Sequence, residues 1–148
     1  MNSGKVLQSI AQIADDAPEA QSLMAQTVTL LEGERPHYNW VGIYLLEGDE
    51  LVLGPYVGKP TPHTRIPLNK GICGAAASSG QTLIVDEVGA DPRYLACSLE
   101  TKSEIVVPII REGRVLGEID IDSNRPAAFT EDDRTLLESV AEILAANL

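Results

Sequence analysis

The side chains in this sequence best suited to chemistry are two thiols and a group of carboxylates. Cys73 lies in Asn69-Lys70-Gly71-Ile72-Cys73-Gly74, where the chain turns into a short helix, and Cys97 lies in the loop Tyr94-Leu95-Ala96-Cys97-Ser98. The thiolate is the reactive form, and free helix N–H groups together with nearby Lys70 are expected to favour it at Cys73. The pair reads either as a redox couple or as two small buried hydrophobes, a common fate for free cysteine. Glu104, Asp120 and Asp122 form the second feature. Strand alternation gathers them on one sheet face with Glu118, where they cannot all ionise without a cation nearby. Either that face is solvated or it binds something positive. Trp40, the single tryptophan, and Tyr44 are either core or the wall of a pocket for a methylated or cationic ligand.

Other chemistry is poorly represented. There is no phosphate-binding glycine loop, GxSxG, HExxH or CxxC, and His37 and His63 are the only histidines. Cys73, Cys97 and one histidine scattered over loops lack the spacing of a zinc site, so neither a metal nor any other cofactor is expected.

These residues must be placed by a small set of elements. Val6, Leu7, Ile10 and Ile13 recur at helical spacing, and after Asp16-Ala17-Pro18 a second stripe runs through Leu23, Met24, Thr27, Val28, Leu30 and Leu31. From Asn39 the pattern turns to β, with Trp40 to Leu45, a Gly48-Asp49 turn and Leu51 to Val57 forming a hairpin. A Pro-rich loop, Gly58 to Pro67, precedes a short Ala-rich helix over Gly71 to Ser79 and a strand over Thr82 to Val85. Glu104 to Ile110 and Val115 to Asp122 read as a second hairpin through a three-residue loop, Arg111-Glu112-Gly113. In that register Glu104 opposes Asp120 and Ile105 opposes Ile119. Ile105, Val107, Ile109, Val115, Ile119 and Ile121 then share one face, and the acids share the other with Val106 and Leu116. Thr130 is the N-cap of a last helix, with Glu131, Asp132 and Asp133 in its first turn and Leu136, Leu137, Val140, Ile143 and Leu144 as its apolar stripe. This order predicts an α+β fold, one antiparallel sheet with helices on one face.

The 148 residues carry 11 Lys+Arg against 22 Asp+Glu, a net charge of −11, and that field repels nucleic acid and anionic lipid. With 44% hydrophobic residues the chain is expected to fold as one domain, 1–148. It opens on an amphipathic stretch and nowhere reaches the ~18 apolar residues of a bilayer span, which gives a cytoplasmic expectation.

Five segments together resemble the free methionine-(R)-sulfoxide reductases, a family of GAF-domain enzymes. They are Asn39-Trp40-Val41-Gly42-Ile43-Tyr44, Lys70 to Ala76, Leu95-Ala96-Cys97-Ser98, Thr101 to Pro108 and Gly117 to Ser123, in order along nearly the whole chain. The resemblance implies a six-stranded antiparallel sheet backed by helices and a substrate, free methionine sulfoxide. It implies that Cys97 attacks the sulfoxide sulfur, that Cys73 is the family cysteine before the short helix, and that Trp40, Tyr44, Glu104, Asp120 and Asp122 form the substrate pocket. Many members carry a third cysteine ten residues before the position of Cys73, where this chain has His63. The resolving step therefore falls to Cys73 or to an outside thiol. The mechanism that follows has a Cys97 sulfenic acid, a Cys73 to Cys97 disulfide and a thioredoxin-like reductant, with a member of the acid cluster giving a proton to the departing oxygen. A homodimer is expected, because such modules commonly pair through terminal helices. The rival readings are a GAF domain that only senses a small ligand and a redox-sensing thiol protein without substrate.

Overall fold

A computed structural model describes residues 2–16, 19–95 and 99–148. Two helices, α1 (Ser3–Asp16) and α2 (Ala20–Glu34), lead into β1 (Trp40–Glu47), β2 (Glu50–Val57) and β3 (Arg65–Pro67). After α3 (Gly71–Ser79) come β4 (Leu83–Val85), a 3-10 turn (Val88–Ala90), β5 (Ser103–Arg111), β6 (Arg114–Ser123) and α4 (Glu131–Asn147). The six strands form one sheet in the order β3-β2-β1-β6-β5-β4, antiparallel throughout. Strand β3 is a correction to the sequence reading, which kept Gly58 to Pro67 as loop. Three residues ending in a proline give almost no periodic signal, and such a strand suits a sheet edge.

One face of the sheet is sealed by α1, α2 and α4. There Val41, Ile43, Ile105, Val107, Ile109, Ile119 and Ile121 pack against Leu31, Leu137, Val140 and Leu144, all essentially inaccessible to water. Helix α3 lies on the opposite face against β3, β5 and β6. Of the α1 stripe, Val6 and Ile10 are fully buried and Leu7 and Ile13 half-buried, and α1 packs on α4 and α2. Among the described residues no helix is long and apolar enough to cross a membrane.

The β5–β6 hairpin corrects the expected register. Its loop is two residues, Glu112-Gly113, both at positive φ (53° and 77°), with Arg111 opposite Arg114. This is the mirror-image turn geometry that matches strand twist. Such a turn alone would carry Glu104 to the apolar side. The pairing then shifts between Ile109 and Ile110: Ile110 faces Val115, Ile109 faces Gly117, and Leu116 is the extra residue of a bulge. One inserted residue restores the parity, so Glu104 stays on the acid face but opposes Asp122, and Ile105 opposes Ile121. The bulge also exchanges two neighbours of the turn. Leu116 packs with the helix-side core and Val115 with the opposite cluster, the reverse of the expectation.

Candidate active site

Three adjacent strands bring the sequence-predicted acids and aromatics together on the face under α3. Glu104 comes from β5, Glu118, Asp120 and Asp122 from β6, and Trp40 and Tyr44 from β1, with Trp40 opposite Asp122 and Tyr44 opposite Glu118. Gly42 stands between the two aromatics, opposite Asp120. A Cβ there would lie 2.3 Å from the Trp40 ring, so only glycine lets the indole lie flat along its own strand. The indole stacks on Tyr56, with ring centres 5.6 Å apart, and its Nε1 donates to the Lys59 carbonyl at 3.0 Å. Gly58, at φ +134°, passes so close that a Cβ would meet the same ring at 2.6 Å. Tyr44 donates its hydroxyl to the His63 carbonyl at 2.7 Å. Both aromatics therefore hold the 58–64 loop against the sheet.

The acids are buried, which removes the solvated-face alternative. Glu104 and Asp120 are each 5% exposed and Asp122 3%. Burial pushes the Glu104 carboxyl well above the usual range, and Asp120 and Asp122 push it further by charge and by the hydrogen bonds they share with it. Asp120 is likewise raised by burial, opposed by hydrogen bonds from Glu104 and Cys73. Glu104 and Asp120 are thus both shifted towards the protonated form and titrate as a coupled pair.

Cys73 is the third residue of α3 and is buried. Its Sγ donates to Asp120 Oδ2 at 3.3 Å, and its sulfur and one oxygen each of Glu104 and Asp120 lie within 4.8 Å of one another. The expected thiolate at this position is not supported. Burial raises the thiol well above its ordinary pKa, the acids Asp120, Glu118 and Glu104 raise it further, and Lys70 points to solvent. The same trio is close enough to share a cation.

Cys97 lies outside the described residues, as do Ala96 and Ser98. The chain just before it is anchored at the site: Leu95 lines the cavity beside Cys73, and a Cβ on Gly71 would meet Leu95 Cδ1 at 2.9 Å. That inner cavity, about 30 Å3, is bounded by Trp40, Tyr44, Cys73, Glu104, Asp120 and Asp122, with Thr61, His63, Ile66, Gly71, Ile72 and Leu95 completing it. An outer chamber of about 240 Å3 shares Trp40, Thr61 and Asp122 with it and adds Asn39, Lys59, Pro60, Glu100, Thr101 and Asn124. His63, which stands where many family members have a cysteine, therefore lines the inner cavity.

Sequence reasoning passed over Glu118 as a site residue, although it placed it on the right face. It is fully buried, neither oxygen bonds another N or O, and the Cys73 thiol is its polar neighbour. Its carboxyl is pushed well up by burial and then by Asp120. The only visible signal was the alternation of Glu118, Asp120 and Asp122.

Curled antiparallel sheet, flanking helices and a ligand cavity under a short helix define a GAF domain, and the GAF family matches residues 19–148. Free methionine-R-sulfoxide reductase of Escherichia coli is 37% identical over 126 residues, 82% of this chain and 76% of that protein. The structure of free methionine-R-sulfoxide reductase from Neisseria meningitidis in complex with its substrate superposes with a TM-score of 0.93 at 38% identity, covering 98% of this chain and 87% of that one. The type II free methionine-R-sulfoxide reductase from Thermoplasma acidophilum gives a TM-score of 0.85 at 41% identity, over 86% and 91% of the two chains. The chain belongs to the GAF-domain family and, within it, to the free methionine-R-sulfoxide reductases, which are oxidoreductases.

Proposed function

We propose that this protein reduces free L-methionine-(R)-sulfoxide to methionine, with Cys97 as nucleophile and Cys73 as resolving thiol. The observation that carries the reading is a buried acid group with raised pKa, packed against Cys73 and walled by Trp40, in a cavity that Leu95 also lines. Reduction of a sulfoxide needs a nucleophile at sulfur, a proton for the departing oxygen and two electrons. The Cys97 thiolate attacks sulfur while Glu104 or Asp120, whose carboxyl burial shifts towards the protonated form, gives its proton to oxygen. Methionine leaves and the oxygen stays on Cys97 as a sulfenic acid. Cys73 then attacks the Cys97 sulfur, passing its thiol proton through Asp120, and water departs as the disulfide forms. A thioredoxin-like dithiol reduces that disulfide and restores both thiols.

Asp122, at the wall between the two chambers, would hold the substrate ammonium, and Trp40 would cover the methyl and thioether. Methionine release from free L-methionine-(R)-sulfoxide, compared with its N-acetyl form, tests the reading. Turnover of the free amino acid alone is expected. Equal rates on both would remove the ammonium pocket, and binding of the free sulfoxide without methionine release would leave a ligand-sensing domain.

A further inference from the structure

A free amino acid brings a carboxylate as well as an ammonium, and the site as described accounts only for the second. The inner cavity is lined by buried acids, in a chain of net charge −11, so an α-carboxylate there meets repulsion unless a cation stands close by. Among the described residues lining the two chambers, Lys59 and His63 alone have basic side chains. His63 lies in the inner cavity with the acids, whereas Lys59 lies in the outer chamber, which Asp122 also borders.

The setting of Lys59 is specific. Its carbonyl is fixed by the Trp40 indole, and its Nζ already binds a carboxylate, that of Glu100 across the mouth. Both side chains of that ion pair are largely exposed, so the Lys59 ammonium is open to a carboxylate arriving from solvent. An ammonium held by Asp122 leaves the sulfoxide end of a substrate in the inner cavity and its α-carboxylate on the Lys59 side.

We infer that Lys59 holds the α-carboxylate of the free substrate in the outer chamber, taking the place that Glu100 occupies, and so selects free amino acid against C-terminally blocked or peptide-bound forms. The inference rests on the reductase reading above. Steady-state kinetics on free L-methionine-(R)-sulfoxide and on its α-amide, with wild type, Lys59→Gln, Lys59→Arg and Glu100→Gln, tests it. Lys59→Gln should raise KM for the free acid about 10-fold with kcat changed less than twofold, the pattern of lost uniform binding, and leave KM for the amide unchanged. Lys59→Arg should recover most of the affinity, and Glu100→Gln, which removes the competing carboxylate, should lower KM for the free acid.

Equal KM shifts on acid and amide, or no shift on either, would overturn the inference, as would the same selective loss in His63→Gln with none in Lys59→Gln. Failure of the reductase reading looks different: wild type would release no methionine from the free sulfoxide at all.

Discussion

The two faces of the sheet bury carboxylates to the same degree and treat them in opposite ways. On the helix side, Asp133 in the first turn of α4 is 3% exposed and accepts four hydrogen bonds: Tyr38 Oη at 2.6 Å, Thr130 N at 2.8 Å, Thr130 Oγ1 at 3.1 Å and His37 Nε2 at 3.3 Å. Burial pushes its carboxyl up, but the Thr130 backbone N–H, Tyr38 and His37 outweigh it and hold the pKa below the usual carboxylate value. On the site side, Glu104, Glu118 and Asp120 are surrounded by one another, a thiol and aromatic rings, and burial raises all three. Burial alone does not say what an acid does. Donors pointed at Asp133 favour its anion and tie α4 to the residues before β1, whereas acids without enough donors are shifted towards the protonated form.

The largest expected effect breaks the chemistry of the site side and leaves the other face alone. Cys97→Ser should release no methionine, whereas Cys73→Ser should release about one methionine per chain and stop as the sulfenic acid when only a thioredoxin system is supplied. Mass spectrometry of wild type after substrate should show a Cys73 to Cys97 disulfide. Sustained thioredoxin-dependent turnover by Cys73→Ser would show that Cys97 is recycled directly, and residual release by Cys97→Ser would mean another nucleophile.

Amide substitutions then separate the two kinds of carboxylate. Glu104→Gln or Asp122→Asn should lower kcat/KM roughly 10-fold or more, because each removes either the proton or the ammonium contact. Asp133→Asn should instead cost about 2 kcal/mol in denaturant unfolding, the scale of lost hydrogen bonds to a buried charged group, with kcat per folded molecule kept. A kinetic defect in Asp133→Asn would show that the two faces are coupled.

The pH dependence of stability should have two limbs of opposite sign. Asp133 is depressed in the folded state, so its contribution is present above the unfolded carboxylate pKa and is lost as pH falls through its folded value. Glu104, Glu118 and Asp120 are raised, so theirs is complete below the unfolded value and declines as pH climbs towards their folded values. Unfolding midpoints measured across pH should fall at both ends, and Asp133→Asn should flatten only the acid limb.

Much of this contrast was legible in the sequence, and the parts that were not have physical reasons. The first-turn acids after Thr130 announced the α4 cap, and alternation sorted Glu104, Glu118, Asp120 and Asp122 onto one face. Register was not legible, because Val115 and Leu116 are both apolar and either could be the residue that the bulge inserts. Nor was the protonation of Cys73: position near a helix start argued for thiolate, but the side chain turns towards Asp120 and away from the solvent that Lys70 faces. Burial of the acid face depends on α3 and the 58–64 loop folding back over it, a long-range event with no local pattern.

Glu118 gives the smallest and sharpest test of the comparison. It is the acid least served by donors, fully enclosed, with Tyr44 and Pro108 opposite on the neighbouring strands. Pro108 lacks an N–H, and the Cys73 thiol is a weak donor shared with Asp120. An apolar side chain of similar volume gives up no strong hydrogen bond and ends the burial of a polar group. Glu118→Leu should therefore stabilise the protein by about 1 kcal/mol at neutral pH in denaturant unfolding. The sign of its pH dependence follows from the raised pKa. Well below the unfolded glutamate value, at about pH 3, both states hold the Glu118 proton and the gain should be small; as pH rises past that value, keeping wild-type Glu118 protonated or ionising it in place costs progressively more, and the gap should widen. A gain that stays constant with pH would mean that packing alone separates Leu from Glu. A loss of stability would show that Glu118 belongs with Asp133, as an acid whose bonds hold the fold.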